Sequence, residues 1–134
     1  MEDSKELFDE RNLSSGLKSG IIPANSDILL VQPTQVGGKS QDGKVETIAI
    51  SCTSPNWFSI VVRDSGTGPG APTTANTKLG PLRLNADGLL YIEENFKDPI
   101  FSYEANKEIA IVNHKEIAAG VEIGASMKIW ERRM

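Results

Sequence analysis

Val45-Glu46-Thr47-Ile48-Ala49-Ile50-Ser51-Cys52-Thr53-Ser54-Pro55-Asn56-Trp57-Phe58-Ser59-Ile60-Val61-Val62-Arg63-Asp64 decides the fold class. In its first half Ile48, Ile50 and Cys52 alternate with Thr47, Ala49 and Ser51, the period of two of a strand with one buried face. The second half repeats the pattern, with Phe58, Ile60 and Val62 opposed to Ser59, Val61 and Arg63. Thr53-Ser54-Pro55-Asn56 between the halves is a turn cluster, so the stretch reads as a β-hairpin. An isolated hairpin is marginal in water. This one is expected at the centre of a larger antiparallel sheet.

Upstream, Ile28–Val31 closed off by Pro33 reads as the first strand, and residues 37–44, with Gly-Gly and Asp-Gly pairs, as a hairpin loop. Gly38-Lys39-Ser40 does not make a phosphate-binding loop, because Pro33 stands where that motif needs its first glycine and no helix follows. Downstream, residues 65–77 are a long loop of small and turn-forming residues. Short strands are expected over 79–84 (an edge strand, since it holds Pro81), 89–92, 100–103 and 108–112, with a closing strand over 117–131 bent at Gly124. About eight short strands separated by Gly, Pro, Asn and Asp predict an all-β protein, an antiparallel β-sandwich of jelly-roll type over residues 21–134. Ile48, Ile50, Cys52, Phe58, Ile60, Val62, Ile109, Ile111, Val121 and Ile123 are the expected core.

Residues 1–20 read as a loosely structured N-terminal arm, with one short helical turn favoured by Asp3 and Glu6. Leu7, Phe8, Leu13 and Leu17 are more apolar residues than a solvating tail needs, which suggests an arm that docks on a neighbouring subunit. Trp130, expected on the outer face of the last strand, is a candidate anchor for the same contacts or for the arm of its own chain.

The chemistry on offer is sparse. The chain has 134 residues, one domain's worth, and a formal net charge of -4, which argues against a main task of holding nucleic acid. Cys52 is the only cysteine and reads as a small buried hydrophobe; His114 is the only histidine and reads as polar surface. Glu93, Glu94 and Asp98 read as a solvated bend and not as a glycosidase pair or cation site. No catalytic residue, cofactor or metal is expected. No apolar run is long enough to span a bilayer, and the Met1–Glu6 start lacks the pattern of a signal peptide, so a chain that is made and stays in a cytoplasm, or is assembled there, is expected. Should the protein bind a carbohydrate, Trp57, Tyr91 or Tyr103 would have to be exposed together, and Trp57, beside the Pro55-Asn56 turn, is the well-placed alternative ligand platform.

The succession of an Asp-Ile-Leu-Leu-Val-Gln-Pro strand, Ile-Ala-Ile-Ser-Cys, Phe-Ser-Ile-Val-Val after an Asn, a Gly/Ala/Thr-rich loop, Pro-Leu-Arg-Leu with Leu-Leu-Tyr-Ile, and a closing hairpin resembles the small β-sandwich structural proteins of tailed-phage virions, over about residues 21–131. The resemblance implies a capsid decoration (cement) protein, commonly a homotrimer, seated on the major capsid protein or another virion protein. It implies the virion surface as location, with no membrane and no nucleic-acid partner. The long 37–44 loop and the N-terminal arm depart from that pattern. The alternative is a carbohydrate- or receptor-binding module of a phage tail or neck.

Overall fold

A computed structural model of the chain describes residues 5–22, 27–31, 35–36, 39–66, 75–114 and 117–133. Eleven strands are found among them: β1 (Phe8–Ile22), β2 (Asp27–Val31), β3 (Gln35–Val36), β4 (Lys39–Ser40), β5 (Gly43–Cys52), β6 (Asn56–Asp64), β7 (Thr77–Leu84), β8 (Gly88–Glu93), β9 (Phe101–Tyr103), β10 (Lys107–Asn113) and β11 (Ile117–Arg132). A five-stranded antiparallel sheet has the order β1-β11-β5-β8, with β9 also paired to β5. A four-stranded sheet has the order β2-β10-β6-β7, and β3 and β4 form a small ribbon of their own. The protein is an all-β sandwich, as its alternation predicts.

Ile48, Ile50 and Cys52 of β5 and Ile123 and Met127 of β11 meet Phe58, Ile60, Ile109 and Ile111 of the opposite sheet in one cluster, each at most 3% exposed. Burying side chains of this size contributes roughly 1.5–3 kcal/mol apiece, which is why the period-two residues fix the layer. Val62 is only half-buried at the rim of that cluster, and the side chain of Val121 lies outside the described residues.

Two expectations are corrected. The two halves of the 45–64 stretch do not pair with each other: β5 pairs with β11, β8 and β9, whereas β6 pairs with β10 and β7. Thr53-Ser54-Pro55 is an arch from one sheet to the other, pinned to β11 by Thr53 N to Glu122 O (3.1 Å) and Glu122 N to Thr53 Oγ1 (2.8 Å). An arch lets both apolar faces enter the same core from opposite sides, which a flat hairpin would not.

The loosely structured arm is the second correction. After one 3-10 turn, Lys5–Leu7, the chain becomes β1, fifteen residues long and paired with β11 from Phe8↔Arg132 to Ile22↔Ile117, with register shifts between Ser14 and Gly16 and between Gly20 and Ile22. Charged and small residues hid this strand in the sequence: Arg11 faces the core side, but its guanidinium is neutralised by the buried Glu131 carboxylate. Consequently the strand at 28–31 is the second and not the first. The two sheets hold nine of the strands, close to the about eight expected, with β1 and β11 the longest at 15 and 16 residues.

Candidate functional site

The outer face of the five-stranded sheet holds most of the residues singled out above, and its two ends differ. At one end β5 is bulged at Glu46, where the pairing shifts between Lys128/Thr47 and Ile129/Val45. The connection from β8 to β9 is tied to β5 on both sides of that bulge, by Glu94 N to Glu46 O (2.9 Å) and Ile100 N to Val45 O (2.8 Å). This throws Phe96 back across the sheet. Phe96 is 4% exposed and meets Phe8 edge-on at 5.1 Å and Trp130 edge-on at 5.4 Å between ring centroids.

Cations surround the three rings. Lys44 Nζ lies 4.3 Å from the Phe96 centroid, Lys5 Nζ 5.0 Å from Trp130, and the Arg132 guanidinium 5.0 Å from Phe8. Trp130 Nε1 donates to the Glu46 carboxylate, which also faces Lys128 at 3.5 Å. Each exposed cation–π contact is worth about 0.5–1 kcal/mol, so the cluster is a structural clamp that fastens β1 and the β8–β9 connection to β11. Phe8 and Trp130, two of the expected subunit contacts, are covered by their own chain here. Leu7 beside them is 49% exposed.

The other end is open. Three rows cross it from β1 to β8: Leu17, Gly124, Ser51, Leu89; then Ser14, Ser126, Ala49, Tyr91; then Asn12, Lys128, Thr47, Glu93. The middle of the first two rows is Gly, Ser, Ser and Ala, so the sheet surface sinks there into two adjoining depressions of about 410 and 260 Å³ that share Ser14 and Ser126. Leu17, Leu89 and Tyr91 stand up at the sides, 69%, 67% and 56% exposed. Leu13 points the other way and packs on the core. Tyr91 leans along its strand so that its hydroxyl donates to Glu93 (3.1 Å), which raises its pKa. Lys128 loses something to partial burial, yet Glu46 and, at 3.7 Å, Glu10 hold its pKa above the ordinary value.

Trp57 is half-buried on the four-stranded sheet, with the Arg83 guanidinium 5.9 Å from its ring. Tyr103 is buried between the sheets and Tyr91 lies on the far outer face, so the three rings share no platform. The lone histidine is not idle surface: His114 Nε2 and Ser59 Oγ form a 2.6 Å hydrogen bond. Ser59 is nevertheless 1% exposed, beneath Gly80 at φ +116°, where a Cβ would come within 2.7 Å of Ser59 Oγ. A nucleophile sealed in this way has no approach path. Burial pushes the Cys52 thiol above its ordinary value, which leaves little reactive thiolate. Among the described residues no group of three His, Cys, Asp or Glu is placed to hold a metal ion.

Leu89 and Phe96 were not singled out from the sequence, and Tyr91 only as one of the rings a saccharide platform would need beside Trp57. One signal was there: Leu89-Leu90-Tyr91-Ile92 has no polar face at all, the pattern of a strand with both sides covered. No protein-family model and no curated relative matches this chain.

Proposed function

We propose that the protein is a non-enzymatic structural component of a virion, a capsid decoration protein that seats on the major capsid protein or another virion protein. The observation that carries an assembly role is the open end of the five-stranded sheet: three large apolar side chains held in water by a rigid, hydrogen-bonded surface. Isolated exposed apolar residues are ordinary, whereas a group of them around shared depressions marks a contact surface. The virion setting rests on the resemblance of the strand succession to small tailed-phage sandwich proteins.

The test is immunogold labelling of gradient-purified particles with an antibody against the purified protein. Label on the capsid surface is the expected result; protein confined to the unassembled fraction would sink the reading. A second reading, a saccharide- or receptor-binding module, has one observation in its favour. Tyr91 borders the 410 Å³ depression together with Asn12, Thr47, Glu93 and Lys128, an aromatic ring among polar groups. Under that reading Tyr91, and not Trp57, is the platform, and glycan-array binding abolished by Tyr91→Ala would favour it over assembly.

A further inference from the structure

We infer that the open end of the five-stranded sheet is the contact between two copies of this chain, related by a two-fold axis running parallel to the strands. The inference rests on the assembly reading and names the occupant of its surface.

The face carries both halves of a self-complementary contact. β8 at the sheet edge is a ridge, with Leu89 and Tyr91 standing out, while β11 and β5 beside it are a trough floored by Gly124, Ser51, Ser126 and Ala49. Leu17 on β1 closes the trough on its far side. Strands are spaced about 4.8 Å apart and facing sheets about 10 Å, so a ridge one side chain high fills a trough two strands wide. A flat partner would rest on the ridges and leave the trough without contacts.

Symmetry and charge select the arrangement. A two-fold axis parallel to the strands reverses their lateral order but keeps every row opposite its own copy. With the axis between β5 and β8, the ridge of each copy enters the trough of the other. Leu89 then lies over Ser51 and against the Leu17 side chain, which leans over Gly124 so closely that a Cβ there would meet Leu17 Cδ2 at 2.9 Å, and Tyr91 lies over Ser126 and Ala49. The third row brings Glu93 of each copy beside Lys128 of the other, whose own ion pairs, at 3.5 and 3.7 Å, are looser than direct hydrogen bonds. An axis across the strands would instead set ridge on ridge and Glu93 on Leu89. The pairing is isologous, each residue meeting its counterpart's partner, as closed dimers require. It also gives the run Leu89–Ile92 the second cover that its composition calls for.

The experiment is sedimentation equilibrium of the full chain across a dilution series. The expected mass is that of two chains. Leu89→Asp on the ridge and Ser126→Arg in the trough each weaken association by about tenfold or more, since each places a charge in the apolar contact. Both positions are solvent-facing in the single chain, so circular dichroism stays unchanged. Glu93→Lys weakens the pair at low salt and much less at high salt, because the ion pair orients the contact and the apolar ridge carries it. A single-chain mass at every concentration, a trimer, or a dimer indifferent to both Leu89→Asp and Ser126→Arg would overturn the inference. Particle labelling with a single-chain mass sinks the pairing alone; a pair without particle labelling sinks the virion role alone.

Discussion

The two ends of one sheet face solve the same problem differently. Both carry aromatic or large aliphatic side chains on the outer surface of the same sheet. At the β1 start and β11 end, the chain supplies its own cover: Phe96 crosses from the β8–β9 connection, and Lys5, Lys44 and Arg132 surround the rings. At the opposite end Leu17, Leu89 and Tyr91 have nothing from the described chain above them and remain more than half exposed. The difference teaches that apolar residues on an outer face are not one category. Those at the closed end contribute to the stability of the single chain, and those at the open end contribute little to it.

Removing the cover is the sharpest way to break this contrast. Phe96→Ala is expected to cost about 3 kcal/mol of unfolding free energy, the range for deleting a buried aromatic ring. Urea denaturation checks it, and a loss below about 1 kcal/mol would mean that the closed end is no more cohesive than an ordinary surface.

Tyr103, beneath the closed end, gives an intermediate and pH-dependent effect. Burial first, and the Glu131 carboxylate second, push its phenol well above the ordinary 10.0. A folded-state value raised above the unfolded one contributes stability that is complete below pH 10 and is lost as the pH climbs beyond it. The melting temperature is therefore expected to fall above pH 10, and Tyr103→Phe to flatten that fall. Identical alkaline slopes for the two proteins would show that the phenol does not titrate differently in the folded chain.

The smallest effect belongs at the open end. Leu17→Ser is expected to leave single-chain stability within about 0.5 kcal/mol, as for a surface position away from caps and networks. A loss as large as that of Phe96→Ala would erase the distinction between the two ends.

Much of the layer structure was legible because burial on a sheet has a period of two. Ile48, Ile50, Phe58 and Ile60 announced their face, and all are at most 1% exposed. Local pattern is silent on partner choice, however. The 53–56 cluster reads the same whether it closes a hairpin or arches between sheets, and only the opposed core faces decide between them. β1 was illegible for a related reason: Phe8-Asp9-Glu10-Arg11-Asn12 looks like solvated chain until β11 supplies ladder partners and Glu131 takes up the charge of Arg11.

The same limit separates continuous apolar runs. Ile109–Val112 and Leu89–Ile92 both lack a polar face in the sequence. In the folded chain Ala110 and Val112 are fully buried, forming with Val61 a second small cluster on the outer side of the four-stranded sheet, whereas Leu89 and Tyr91 stand in water. By itself the sequence determined the all-β class and the core face of the central strands. Only the tertiary structure decided which strands pair, that residues 8–22 are a sheet strand, and which outer apolar groups the chain covers for itself. Alternation is written in neighbouring residues, but cover is supplied by residues far away in the chain, as Phe96 is for Phe8.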